Sequence, residues 1–216
     1  MQQPRQRQRA GARGFTILET LVSMSIFLVV MYGVYTVYDV GQENYERGSR
    51  QWDVQSQARV AMERMAREIR MAGYDSPNKP PDAILIATAD TITIRANLGA
   101  GLQYVTYSRR DCTGALGNTL YRNASTTTYC GGDAFIDGVT ALTFAFYEMN
   151  GVALATMPLD GQAHVTGSGT PSTPAAGSDR KKVRQVKIAL TAQQTVGGHV
   201  VPFTVTTDVA LRNMVP

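Results

Sequence analysis

The sequence has few of the residues from which chemical sites are built. Cysteine occurs twice, at Cys112 and Cys130, histidine twice, at His164 and His199, and tryptophan once. The cysteines form no CxxC motif and stand apart from the histidines, which argues against zinc. No P-loop, GxGxxG or HExxH run occurs, so the common signals for phosphate, dinucleotide and zinc-hydrolase chemistry are missing. Ser178-Asp179-Arg180-Lys181 has Ser-x-x-Lys spacing but no companion motif, and reads as chance. His164 and His199, each beside turn-forming residues, read as surface histidines. Asp133 and Asp137 fall far short of the roughly six to eight oxygens that calcium takes, and read as loop acids in water. The expectation is a protein with no catalytic residue, no cofactor and no metal, and hence not an enzyme.

Charge of one sign is also missing where it matters. The first fourteen residues contain no acid but carry Arg5, Arg7, Arg9 and Arg13. These four are part of 21 Lys and Arg set against 17 Asp and Glu, so residues 15–216 are balanced and the formal +4 belongs to the leader. A general affinity for DNA does not follow from the pI. From Phe15 to Tyr38 the only charged side chain is Glu19. As a helix this stretch would reach about 36 Å, enough for a hydrocarbon core of roughly 30 Å. It is longer than the apolar core of a secretory signal, and the basic residues before it keep residues 1–14 cytoplasmic and send the C-terminal part outward.

Glu19 needs a partner, because a carboxylate in a membrane helix is costly. It could stay hydrated near the interface. Alternatively, a cut between Gly14 and Phe15 would create an α-amino group four residues away, better placed for a neighbouring molecule than for the same one. Gly14-Phe15-Thr16-Ile17-Leu18-Glu19-Thr20-Leu21 resembles the type III signal of type IV prepilins and type II secretion pseudopilins. The usual order is Thr-Leu-Ile-Glu; the exchange of Ile17 and Leu18 here keeps the apolar character. The resemblance implies cleavage after Gly14 by a membrane aspartic peptidase, N-methylation of Phe15, and a helical filament in which Glu19 neutralises the amine of an adjacent subunit. It implies as partners major and minor pilins, the prepilin peptidase/methyltransferase, an inner-membrane assembly platform and, before assembly, membrane lipid.

From Asp39 to Gly73 no proline interrupts, and Val54, Ala58, Ala61, Met65 and Ile69 lay one apolar stripe along a helix. Glu46–Arg50 and Glu63–Arg67 are spaced for i,i+4 pairs. Gly73 is placed as a C-cap, with Asp75-Ser76-Pro77 turning beyond it. Gly33, Gly41 and Gly48 are candidate bends or points of close helix packing. Arg70-Met71-Ala72-Gly73-Tyr74 is similar to the helix end of PilW-type minor pilins, with J-type minor pseudopilins of type II secretion a close second.

Beyond Pro81 the pattern is strand-like. Ala83–Ala87 and Thr91–Ala96 read as a hairpin, followed by Leu102–Ser108, Thr119–Arg122, Thr140–Glu148, Val183–Ala192 and Phe203–Leu211, with turns at Asn150-Gly151 and Gly197-Gly198. In a domain carried across a membrane, Cys112 and Cys130 read as a disulfide worth about 3 kcal/mol of loop entropy, two buried free thiols being the alternative. The Gly-, Ser-, Thr- and Pro-rich stretch 156–180 reads as a mobile surface loop. Arg180, Lys181, Lys182, Arg184 and Lys187 form the one basic cluster outside the leader. It is the place to look for DNA or acidic lipid, although alternation on a strand splits it between faces and a charged, protected strand edge is the favoured reading.

The expected fold is therefore α+β and pilin-like: a leader 1–14, a membrane and assembly helix 15–38, an amphipathic helix 39–73, and an antiparallel β-rich outer domain 74–216. The expected function is a PilW-like minor type IV pilin anchored once in the inner membrane and passing into a pilus. Its rivals are a minor pseudopilin of type II secretion and a membrane-tethered outer enzyme or binding module with an uncut anchor.

Overall fold

A computed structural model describes residues 14–74, 82–99, 101–167, 169–196 and 199–214, excepting the side chains of Val196 and His199. The leader arginines, Asp75-Ser76-Pro77 and Gly197-Gly198 lie outside the described residues. Helix α1 runs from Ile17 to Arg70. Eight strands follow: β1 (Ile84–Ala87), β2 (Thr91–Asn97), β3 (Leu102–Arg110), β4 (Leu116–Ser125), β5 (Asp133–Asp137), β6 (Val139–Tyr147), β7 (Gln185–Val196) and β8 (His199–Ala210). A short helix α2 (Asp179–Lys182) precedes β7. The architecture is α+β and pilin-like. The described residues fall into two compact units, one ending at Arg47 and one beginning at Gly48.

In the second unit the strands form two antiparallel sheets, in the orders β1-β2-β3-β4-β5 and β6-β7-β8. One core serves both. Ala58, Ala61, Met65 and Ile69 of α1 are buried with Ile92 and Ile94 of β2, Val105 and Tyr107 of β3, Phe144 and Phe146 of β6, and Ile188 and Leu190 of β7. The stripe expected from the sequence is thus the buried face, with Val54 half-buried at its start. Small residues at positions 58 and 61 keep the helix backbone close to the strands, and Met65 and Ile69 fill the space further along.

The helix ends where expected. Gly73 has φ +77°, and its N–H leaves the helix to donate to Arg95 O at 2.9 Å. A Cβ there would come to 3.2 Å from the Ala83 Cβ, so glycine answers both the left-handed backbone and the close approach. Gly138, at φ +74°, carries the chain from one sheet to the other: a Cβ would fall 2.5 Å from Gln193 O.

Three sequence expectations change. Asp133 and Asp137 are the ends of strand β5, not loop acids. Alternation was weak there because Ile136 is the one fully buried side chain of the five. The described residues of segment 156–180 are tied into the fold by buried and hydrogen-bonded side chains. Leu159 is buried; Asp160 accepts from the N–H groups of Asp179 and Arg180 and from Arg180 Nε at 2.8 Å; Gln162 Oε1 accepts from Ser172 N and Oγ, each at 2.7 Å. Finally, Glu63 and Arg67 do not pair. The ion pairs of this type on α1 include Glu43–Arg47 at 3.4 Å and Arg64–Glu68 at 3.1 Å.

Glu68 is the main polar tie between helix and sheet. Its carboxylate, 7% exposed, accepts from Tyr107 Oη of β3 at 2.6 Å, from Arg122 Nε and Nη2 of β4 at 3.0 and 2.8 Å, and from Arg64 Nε at 3.1 Å. Burial alone would raise its pKa. The hydrogen bonds from Arg122 and Tyr107 and the Arg122 charge outweigh that and hold it below the usual carboxylate value of 4.5. Burial and the Glu68 charge push the Tyr107 phenol upward in turn. A carboxylate with a depressed folded pKa contributes stability that is present above its unfolded pKa and lost as pH falls through the folded one. Thermal unfolding should therefore show stability declining below about pH 4.5. Glu68→Gln should cost about 3 kcal/mol near neutral pH by leaving Arg122 without a counter-charge, and should flatten that acid-side decline. Equal acid sensitivity in variant and parent would show that other carboxylates govern it.

Candidate functional site: the N-terminal segment of helix α1

Within the first unit, Phe15–Tyr38 carries one charged side chain, Glu19, while Asp39–Arg47 is largely polar. Residues 14–47 are exposed throughout, including Phe15 at 77%, Val29 at 73% and Val37 at 74%. Helix α1 contains a window long and apolar enough to cross a membrane, with none of that window buried in the protein. Full exposure of this much apolar surface is unfavourable in water at roughly 25 cal/mol per Å2, and favourable in lipid or against other apolar helices.

The polar side chains inside the run do not oppose such burial. Thr20 Oγ1 donates to Ile17 O at 2.8 Å, Ser23 Oγ to Glu19 O at 2.7 Å, Ser25 Oγ to Leu21 O at 2.7 Å and Thr36 Oγ1 to Gly33 O at 2.8 Å. Each hydroxyl returns its hydrogen to a carbonyl of its own helix, which removes most of the penalty for leaving water. Gly33, Gly41 and Gly48 lie inside α1, which runs through all three, so none of them interrupts the helix. A Cβ at any of them would meet nothing within 4 Å.

The start of the helix holds the residues singled out by sequence. Gly14, Phe15 and Thr16 are non-helical, and α1 begins at Ile17. Thr16 is the N-cap: its Oγ1 accepts from Glu19 N at 3.3 Å, and its carbonyl accepts from Thr20 N at 3.2 Å. Glu19 is therefore the third residue of the helix, where a carboxylate is favoured by the exposed N–H groups of the first turn. Sequence reading weighed Glu19 only as a membrane acid. The spacing Thr16-x-x-Glu19 is also that of a capping box, a signal that was present and not used.

In the second unit, Cys112 and Cys130 are joined in a disulfide, with S–S at 2.10 Å. His164 differs from expectation: it is half-buried, with Nε2 3.2 Å from Asp111 O and Nδ1 3.4 Å from Thr91 Oγ1. Burial lowers its pKa below that of a free histidine and outweighs the hydrogen bond to Asp111 O. It lines a cavity of about 310 Å3 with Thr88, Asp90, Arg110 and Thr166, where the Arg110–Asp90 pair closes at 2.7 Å. His199 lies outside the described side chains.

The basic cluster is not a patch. Arg180 is 2% exposed and spends its donors on Asp160, Leu85 O and Ser172; Lys182 pairs with Asp179 at 2.8 Å; Arg184 donates to Lys181 O and Val183 O. Lys181 lies 3.5 Å from Asp82, and Lys187 is on β7. The sequence suggested a charged strand edge because α2 is too short to show a helical period. Among the described residues, no three His, Cys, Asp or Glu converge as metal ligands.

Residues 9–35 match the prokaryotic N-terminal methylation motif. No curated protein matches the chain. The motif identifies a type IV prepilin-like signal, and with the pilin-like α+β architecture it supports a type IV pilin or pseudopilin-like subunit. Such a signal implies processing by a prepilin peptidase and assembly with other pilins, and the apolar helix fits membrane anchoring. The full chain should accordingly stay with membranes through an alkaline carbonate wash and be released by detergent. Introducing Val29→Arg and Val30→Arg, which costs about 2.5–3.5 kcal/mol per charge at mid-membrane, should shift it to the soluble fraction.

Proposed function

We propose that this protein is a minor type IV pilin of the PilW type, a structural and assembly subunit and not an enzyme. It sits in the inner membrane by one span with its C-terminal domain outside, is cleaved after Gly14, methylated on Phe15, and enters or primes a pilus. The observation that carries this reading is the methylation motif over residues 9–35, on a helix that is exposed throughout up to residue 47 and whose third residue is Glu19.

The mechanism is physical. Cleavage creates a positive amine on Phe15. When one subunit is staggered against the next by about a helical turn, the Glu19 carboxylate of one reaches the amine of its neighbour. In the low dielectric of a helix bundle this attraction is far stronger than in water, and it selects the staggered register. The apolar faces of Phe15–Tyr38 then exchange lipid contacts for protein contacts at little net cost.

A minor pseudopilin of type II secretion shares the motif and is the second reading; the helix end Arg70-Met71-Ala72-Gly73-Tyr74 favours the PilW type. Mass spectrometry of the mature chain should find an N-terminal methyl-Phe15. A retained leader with Arg5–Arg13 would instead support a tethered outer enzyme or binding module. Glu19→Ala should leave membrane insertion and cleavage intact and lower recovery in sheared pili about tenfold or more, since an unpaired buried charge costs about 3–5 kcal/mol. Normal incorporation of Glu19→Ala would exclude the pairing mechanism, and absence of the parent chain from sheared pili would favour the secretion assignment.

A further inference from the structure

The two sheets of the second unit have four edges, and the chain treats them differently. The β1 edge is covered: α2 packs beside it, and Arg180 Nη1 donates to Leu85 O. The β6 edge is covered as well. Phe144 N donates to Ala89 O, Leu154 N donates to Phe146 O, and Arg109 Nη1 donates to Thr140 O. Among the described residues, neither β5 nor β8 has a backbone partner on its outer side. Uncovered edges are ready templates for another strand, and proteins normally blunt them.

The two open edges differ in charge. Beside β8 runs a groove of about 450 Å3 lined by Arg59, Glu63, Arg67 and Arg70 of α1 and by Val205 and Thr206 of the strand. All four charged residues are exposed, and among the described residues none of the three arginines takes part in a salt bridge. Asp208, the acid on β8, stands opposite Lys187 in the ladder. The β5 edge carries exposed Asp133 and Asp137 at its ends, with half-buried Phe135 between them. The edges also flank the helix on different sides. Arg59 lies over Phe203 of β8 at 5.8 Å, while Arg64 lies over Phe135 of β5 at 5.4 Å. At about 100° per residue, positions 59 and 64 point roughly 140° apart around α1.

We infer that the β8 edge of one molecule binds the β5 edge of a second copy of this chain, with Arg67 and Arg70 facing Asp133 and Asp137. The strands supply backbone hydrogen bonds and the charges supply register and partner choice. Because the two surfaces differ, the contact is head-to-tail and leaves a free edge of each kind at the ends. It involves only the unit from Gly48 onward and does not depend on cleavage at Gly14.

The test uses the full chain in membranes of the producing cell, as two differently tagged copies. One copy carries a benzophenone amino acid in place of Thr206. Irradiation should join it to residues 131–138 of the other copy, located by mass spectrometry. Arg67→Glu with Arg70→Glu, or Asp133→Arg with Asp137→Arg, should each lower the yield about tenfold, because like charges then face each other. With the benzophenone on the Arg67→Glu, Arg70→Glu copy, a partner copy carrying Asp133→Arg and Asp137→Arg should restore it. Crosslinks to a different protein, to another region of the chain or to nothing would overturn the proposal. So would failure of the charge exchange to restore yield when both variants melt like the parent. The crosslink map of the chain without charge reversals decides the matter even if a reversed variant does not fold. An uncut leader alongside a mapped crosslink would defeat the pilin reading alone.

Discussion

The register of helix α1 against the strands of the second unit turns on one buried carboxylate. Glu68 brings together a phenol from β3, a guanidinium from β4 and a guanidinium from its own helix. The apolar stripe of α1 fixes which face is buried, but an apolar stripe slides easily. The bidentate Arg122 contact does not slide, because two parallel bonds fail together with a small shift along the axis. The network therefore sets where along the strands the helix sits. That position fixes the helix end at Gly73 beside Arg95 and Ala83, and the flanking placement of Arg59 and Arg64 over two strand aromatics.

The parts of the fold governed by periodicity were legible in the sequence. The stripe from Ala58 to Ile69, the alternation of Leu142, Phe144 and Phe146, and the Gly73 stop each reflect one local rule, and each appears where that rule puts it. What was illegible needed long-range partners. Nothing local marks Arg180 as buried, since its acceptors are Asp160, Ser172 and Leu85, the last of them 95 positions away. The same holds for Glu68, which looks on a helical wheel like one more exposed acid. Strand β5 is illegible because five residues with one buried side chain carry too short a pattern. At the N-terminus the motif was legible from spacing alone. Thr16 as a cap is equally local, carried by the Thr16-x-x-Glu19 spacing.

The two units of the chain follow different solvation rules. In the second, polar groups are buried only when satisfied by distant partners, as around Glu68 and Arg180. In the first, the hydroxyls of Thr20, Ser23, Ser25 and Thr36 are satisfied within one turn of the same helix, so these groups need no outside partner before the segment meets an apolar surface. A segment of that kind can leave lipid and join protein without passing through a state with broken hydrogen bonds.

The position of the N-cap bears on the leader. Thr16 closes the first turn with its own carbonyl and hydroxyl, while Gly14 and Phe15 stand outside the helix. The peptide bond between them carries none of the helix's stability. Its hydrolysis would change the charge at that end without breaking a hydrogen bond of the first turn. What alters is only that a chain formerly continuous into a basic tail acquires an end, and an end can fit between neighbours where a tail cannot.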